Sequence, residues 1–248
     1  MSTQNHPGVQ DYWRYELKYR LSQQDYWQVR NAIYPFIACD QYTKVAPSRK
    51  YLVRSLYFDT PDFQAYNEKL GGNHSRLKFR MRAYTDCVST NSPVHVEAKI
   101  RNGARSQKIG AFVSVEQYLA FMQGFHWDGE TNSILIEFER SVHARILRPK
   151  ILVQYRREAY VSRARDDIRI TFDHAVQSAQ TKTLFPEHVF FHPHYAHSVI
   201  LEIKHRDQQP DWLKDIVQTY SLKIEPNSKY CQGIDVTQLD LVNHALRV

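Results

Sequence analysis

Between Arg76 and Ala83 the chain alternates without a break: Arg76, Lys78, Arg80 and Arg82 at every second position, with Leu77, Phe79, Met81 and Ala83 between them. Successive side chains of an extended chain point to opposite faces, so a period of two predicts a strand with one apolar and one wholly cationic face. Four cations in a row on one face repel each other and their neighbours across the ladder. That face therefore needs water, counter-charge or an anionic guest.

The same alternation recurs. Trp13, Tyr15, Leu17, Tyr19 and Leu21 share one face, and Arg14, Glu16, Lys18 and Arg20 the other. Val94, Val96, Ala98 and Ile100 alternate with His95, Glu97, Lys99 and Arg101, and a partner strand over 105–113 is predicted across Asn102-Gly103. Residues 51–59, 151–161, 168–173 and 199–204 complete eight predicted strands. Helices are expected from Ser22, with Asp25 as capping partner, to about Phe36, and from Ser114, with Gln117, to about Gly124. Others are expected over 132–147, with Ile134, Leu135, Phe138, Val142 and Ile146 as its apolar stripe, over 211–220 and over 236–246. The segments 85–93 and 178–198 read as loops. These elements predict an α+β protein with a mainly antiparallel sheet.

Composition narrows the class of partner. The chain carries 33 Lys and Arg against 26 Asp and Glu, which predicts anionic partners without choosing among them. Cys39, Cys87 and Cys231 lie far apart and show no metal-type spacing, and their odd number argues against a secreted disulfide framework. No stretch approaches a membrane span, and the first residues lack the apolar core of a signal peptide. A cytoplasmic location is the expectation, with residues 1–10 as a disordered tail and 11–248 as a single domain.

A solvated polar sheet face is an ordinary use of charged strands, and a nucleic-acid platform is another. Two features favour an enclosed lining instead. The row recurs on nearly every strand, and Glu16/Lys18, Glu97/Lys99 and Glu202/Lys204 repeat a Glu-x-Lys pair. In a closed sheet these side chains would point inward together, a costly assembly without an anionic guest. Phosphate chains suit such a lining: arginine forks grip phosphate oxygens and lysines add movable point charges. The few carboxylates would hold a divalent metal that bridges to phosphate.

The ordered motifs Arg14-Tyr-Glu16-Leu-Lys18-Tyr19, Ser55-Leu-Tyr57-Phe-Asp59, Arg76-Leu-Lys78-Phe-Arg80, Glu97-Ala-Lys99, Tyr155-Arg-Arg157, Arg169-Ile-Thr-Phe-Asp173, Leu201-Glu202-Ile-Lys204 and Ser228-Lys229-Tyr230 resemble those of the VTC domain. That family is the polyphosphate polymerase branch of the triphosphate tunnel metalloenzymes, or CYTH-like proteins. The resemblance covers about residues 11–235. It implies an eight-stranded antiparallel β-barrel tunnel flanked by helices. It also implies transfer of the γ-phosphoryl group of ATP onto a growing inorganic polyphosphate chain, with Mn²⁺ or Mg²⁺. Carried over by position, Lys18, Arg80, Arg82, Lys99, Arg157, Arg169 and Lys204 would act on the transferred phosphates. Lys78, Lys108, Tyr155, Ser228 and Lys229 would bind substrate, and Glu202, Glu16 and Glu97 would serve the metal. Asp59 and Asp173 rank below Glu202 as metal ligands.

The triphosphatase and cyclase branches open with Glu-x-Glu-x-Lys. Here Arg14 takes the first acidic position, which leans toward the polymerase branch. Pro226 stands where the fungal polymerases carry an additional lysine. The partners implied are ATP and inorganic polyphosphate, with no nucleic acid and no membrane span of its own; product translocation would fall to a membrane or accessory protein. Two alternatives stay open: a non-catalytic module binding polyphosphate or inositol polyphosphates, and a tunnel triphosphatase. His192, His194 and His197 are expected in a surface loop rather than a metal site, and Cys231 is expected to serve packing.

Overall fold

The computed structural model describes residues 10–90, 92–129 and 131–238. The expected N-terminal tail lies outside these residues except for Gln10, which opens the first strand. The chain runs β1 (Gln10–Ser22), α1 (Gln23–Ile33), β2 (Ile37–Cys39), α2 (Gln41–Val45), β3 (Tyr51–Asp59), α3 (Gln64–Leu70), β4 (Ser75–Ala83), β5 (Val94–Asn102) and β6 (Arg105–Val113). It continues through α4 (Val115–Gly124), α5 (Ser133–Ala144), β7 (Arg148–Ser162), β8 (Arg169–Ala179), β9 (His192–Pro193), β10 (Ser198–His205), α6 (Asp211–Thr219) and α7 (Lys229–Thr237).

The strands hydrogen-bond in the order β2-β7-β3-β4-β5-β6-β1-β10-β8-β9, and β7 also pairs with β8. That last pairing closes a ring of eight strands, with β2 and β9 appended, so the fold is the expected α+β antiparallel barrel with helices. Closure leaves no long unpaired edge among the eight.

The described residues divide into two compact units. The first comprises Gln10–Trp13 and the described residues of Arg54–Leu152 and Gln180–Val189. Its core sits on the apolar face of β3, β4 and β5, where Phe58 and Phe79 meet Phe138 of α5 edge-on at ring-centre distances of 5.1 and 5.2 Å. Burying such a ring contributes several kcal/mol, which fixes that face toward the helices. The second unit comprises Arg14–Val53, Val153–Ala179 and the described residues from Phe190 onward. Its core gathers Tyr19, Tyr26, Val29, Tyr160, Ile170, Phe172 and Leu201 under α1 and α6.

Local chemistry sets several boundaries. Capping boxes at Ser22 and Ser114 start α1 and α4 where expected. The β5–β6 turn is centred one residue later than expected: Asn102 pairs with Arg105, and Gly103 takes φ +57. Ile146 does not extend the apolar stripe of α5. The helix ends at Ala144, Ile146 donates its N–H to His143 and Leu147 to Val142, and Ile146 sits at φ 54. This Schellman turn throws Ile146 outward, 55% exposed, and brings Leu147 in instead. The segment 178–198 is not wholly a loop: β8 runs to Ala179, and β9 pairs Pro193 with Gln177 and His192 with Ser178. The last described helix, α7, carries Cys231; of the helix expected over 236–246, Val236 and Thr237 are the last turn of α7, Gln238 is its C-cap, and residues 239–246 lie outside the described residues.

Two buried cation clusters on the polar strand faces

In the first unit the antiparallel register stacks the polar face in rows. Lys78 lies opposite Lys99, and Lys99 opposite Lys108. One row further, Tyr57 lies opposite Arg80, Arg80 opposite Glu97, and Glu97 opposite Gly110. Beyond it come Ser55, Arg82, His95 and Phe112. Although this face is opposite the helix-packed core, its middle is shielded from water: Glu97 is 0% exposed and Arg82 only 6%, and Lys78, Arg80, Lys99 and Lys108 are half-buried.

Glu97 is the counter-ion of this cluster. Arg80 Nε donates to its Oε2, and Lys108 Nζ donates to Oε1 at 2.8 Å, with Arg82 at 3.9 Å. Arg80 also donates to the Tyr57 hydroxyl at 3.0 Å, and Arg82 Nε to Ser55 Oγ at 3.1 Å. Burial opposes ionisation of Glu97, but Arg80, Arg82 and Lys108 overcome it and hold the carboxyl well below its ordinary range. Burial pushes the Lys108 ammonium down to about 8; Glu97 offsets this in part, while Arg82 and Arg80 add to it. One carboxylate thus serves several cations, leaving a net positive lining.

The second unit holds a different arrangement. Lys18 lies opposite Glu202 and Glu202 opposite Thr171; Glu16 lies opposite Lys204 and Lys204 opposite Arg169. Lys204 and Lys18 reach Glu202 at 3.2 and 3.7 Å, and Arg157 at 3.5 Å. Arg157 grips Asp173 with both arms, at 2.6 and 2.8 Å, and Lys229 Nζ meets Asp173 at 2.6 Å. The Tyr155 ring lies 5.1 Å from the Arg157 guanidinium and 5.0 Å from Lys229 Nζ. Glu16 sits 3.8 Å from Arg14. Burial opposes ionisation of Glu202 and Asp173; the surrounding cations reverse it and lower both carboxyls. Burial also lowers Lys204, only partly offset by Glu202.

Most of the predicted residues therefore fall into two groups. Lys78, Arg80, Arg82, Glu97, Lys99 and Lys108 stand together in the first unit. Glu16, Lys18, Tyr155, Arg157, Glu202, Lys204 and Lys229 stand together in the second. Ser228 caps α7, its Oγ accepting from Cys231 N–H, and Arg169 pairs with Asp40 at 2.8 Å. Asp59 caps α3 through the Ala65 and Tyr66 amides, whereas Asp173 belongs to the second cluster. His194 is buried against Ser178 and Gln232 at 2.6 and 3.2 Å, a packing role for a residue expected at the surface. Sequence reasoning passed over three participants. Ser55 and Tyr57 follow the period-two row of β3, and the Asn227 carbonyl accepts from Lys18 at 2.8 Å, a partner 209 positions away that carries no sequence signal.

A divalent ion can be tested against these donors. No group of three His, Cys, Asp or Glu side chains gathers among the described residues. Glu97 meets Arg80, Arg82 and Lys108, Glu202 meets Lys18, Arg157 and Lys204, and Asp173 meets Arg157 and Lys229, so each carboxylate already holds cations. Glu202 and Asp173 share Arg157 and form a two-carboxylate edge, which fits the manner in which Mg²⁺ binds through one or two carboxylates plus phosphate oxygens.

Comparison with known proteins places this geometry. A search of curated proteins returns no match. Among solved structures, a candidate adenylate cyclase from Bacillus halodurans superposes with a TM-score of 0.52 at 13% identity, over 89% of this chain and 94% of that one. A mimivirus capping enzyme triphosphatase gives 0.35 at 9% identity, over 86% and 89%. The first likeness supports the fold alone. The family model of the VTC domain matches residues 13–238, which include the ring strands apart from the first three residues of β1 and both cation clusters, and the chain belongs to the VTC domain family.

Proposed function

We propose that this protein is a polyphosphate polymerase that transfers the γ-phosphoryl group of ATP onto a growing inorganic polyphosphate chain. The observation that carries the reading is the burial of cationic rows on the strand faces opposite the hydrophobic cores. Several charges removed from water share few carboxylates, an arrangement that an anionic guest stabilises.

In this reading Arg80, Arg82 and the Lys78, Lys99, Lys108 row hold phosphate oxygens, and Arg157, Lys18, Lys204 and Lys229 neutralise charge that develops during transfer. Tyr155 holds Arg157 and Lys229 against its ring, and Arg169 adds a further cation near Lys204. Phosphoryl transfer asks the protein for alignment and electrostatic stabilisation rather than a covalent intermediate. Glu202 with Asp173 would hold a bound Mn²⁺ or Mg²⁺, which would supply positive charge to offset that of the phosphate groups. Glu16 keeps Arg14 and Lys204 in register beside them. The proposed setting is the cytoplasm; no helix among the described residues is long and apolar enough to cross a membrane.

The engagement of each cluster carboxylate with cations favours a second reading, a module that binds polyphosphate without turning it over. The purified chain incubated with ATP, Mn²⁺ or Mg²⁺ and a short phosphate primer decides between them. Release of ADP together with long phosphate polymer is the expected result. Tight primer binding without ADP release selects the binding module, and orthophosphate as sole product selects a triphosphatase.

A further inference from the structure

Of the three histidines expected in a surface loop, His194 is the one the fold encloses, and the phosphate-binding reading leaves it unused. Its backbone N–H donates to the Val176 carbonyl at 2.9 Å, which holds it against β8. Its ring bridges two elements of the second unit: Nε2 meets Ser178 Oγ of β8 at 2.6 Å, and Nδ1 meets Gln232 Oε1 of α7 at 3.2 Å. Ser178 is 0% exposed, so this Ser-His pair presents no nucleophile to a substrate. Ala175, at φ 48, lies between the stretch of β8 that pairs with β10 and the stretch that pairs with β9. A left-handed residue there interrupts the alternation of the strand. Asp173 and Ser178, an odd number of positions apart, would point to opposite faces of a regular strand. Here both engage α7, Asp173 through Lys229 and Ser178 through His194 and Gln232.

We infer that His194 is a positioning residue: by tying Gln232 to Ser178 it sets the rotation of α7 about its axis, and so holds Lys229 in the second cluster. Lys229 and Gln232 stand three positions apart on α7, so one helix face carries both. Lys229 Nζ meets Asp173 at 2.6 Å and lies 5.0 Å from the centre of the Tyr155 ring. The start of α7 is anchored as well, where the Asn227 carbonyl accepts from Lys18. An anchor at the start alone leaves a helix free to turn; the second bond, one turn further on, fixes the angle at which Lys229 leaves it. Burial pushes the His194 pKa down to about 4, with the Gln232 bond opposing this and Lys229 adding to it. The ring therefore bridges as a neutral group, one nitrogen donating and the other accepting, and adds no positive charge beside Lys229. A lysine or arginine could span the same gap but would repel it.

His194→Ala would leave a cavity as well as a lost bridge, so the bridge is cut from its two ends instead. Gln232→Met keeps an unbranched side chain of similar length and removes the acceptor, and Ser178→Ala removes the hydroxyl. Thr237→Val is the control: it removes the Thr237 Oγ bond to the Gly233 carbonyl, 2.7 Å long, in the same helix but outside the bridge. Two measurements are made on each folded variant: the nitrogen-15 NMR signal of the Lys229 ammonium, which its bond to Asp173 protects from exchange, and calorimetric affinity for inorganic tripolyphosphate. The expected result is a broadened or lost Lys229 signal and about three- to tenfold weaker affinity in both Gln232→Met and Ser178→Ala, with neither change in Thr237→Val. A Lys229 signal that persists in Gln232→Met, or is lost equally in Thr237→Val, overturns the inference. That Lys229 holds phosphate rests on the proposed function and is judged separately. If the parent chain itself fails to bind tripolyphosphate, that function falls while the Lys229 signal still decides the role of His194.

Discussion

The two cation clusters use the same strand chemistry in different proportions. In the first unit one carboxylate, Glu97, faces Arg80, Arg82 and Lys108, beside a row of three lysines. In the second, Glu16, Glu202 and Asp173 are interleaved with Arg14, Lys18, Arg157, Lys204 and Lys229. In the proposed function the more cationic lining attracts phosphate, and without it leans on Glu97. A lining with three carboxylates is closer to neutral on its own, and offers oxygen donors that a purely cationic lining lacks.

Removing each central carboxylate is the strongest way to break this comparison. Glu97→Gln removes the carboxylate that Arg80, Arg82 and Lys108 share and is expected to cost about 3–5 kcal/mol of stability, read by chemical denaturation. Glu202→Gln leaves Asp173 in place, and its expected cost is lower, about 1–2 kcal/mol. Equal losses would show that the clusters do not differ in the way described. Added tripolyphosphate should recover more stability in Glu97→Gln than in Glu202→Gln, because the guest replaces the missing negative charge.

A control lies outside both clusters. Glu158, on the opposite face of β7 from Arg157, accepts from Tyr26 and Tyr160 hydroxyls at 2.6 and 2.9 Å and from Arg30 at 3.1 Å, with His174 2.9 Å away. Burial opposes its ionisation, but His174, Tyr26 and Tyr160 bring its pKa down to about 2 from an ordinary 4.5. A depressed carboxyl contributes stability that is present above about pH 4.5 and lost as pH falls toward 2. The expected contribution is about 2 kcal/mol after allowing for the water that reaches Arg30 and Lys50. In Glu158→Gln the acid limb of the stability curve should flatten by that amount, with tripolyphosphate affinity unchanged. A change in affinity would mean that this hub communicates with the charged rows.

The smallest expected effect concerns geometry rather than charge. Lys204→Arg keeps the charge but places a wider group beside Glu202, and should weaken tripolyphosphate binding only about three- to tenfold. Lys204→Met should weaken it further, and calorimetry ranks the two.

What could be read from the sequence was what repeats. Period-two rows such as Arg76 to Ala83 located β3, β4, β5, β6 and β10 within a residue, because the enclosed face keeps the alternation strict, whereas β1 and β7 begin three residues earlier than expected and β8 runs six residues further, to Ala179. Capping signatures at Ser22 and Ser114 located two helix starts. β2, α2 and α3 escaped, since elements of three, five and seven residues are too short to show a period. Ile146 misled because the stripe fits a helix that a Schellman turn ends earlier. The rows also gathered the candidate cations correctly by strand, but not their partners. Asp40 meets Arg169 across 129 positions, and Glu158 meets Tyr26 across 132, distances at which only the folded chain speaks. Nor could alternation alone tell that Glu202 and Asp173 would share Arg157.

The central claim, that these linings build a phosphate chain, is tested most directly by phosphorus-31 NMR of the purified protein turning over ATP with Mg²⁺. The account predicts internal-phosphate resonances of a lengthening polymer that grow in step with ADP. Orthophosphate growing in step with ADP, with no internal-phosphate signal, would contradict it.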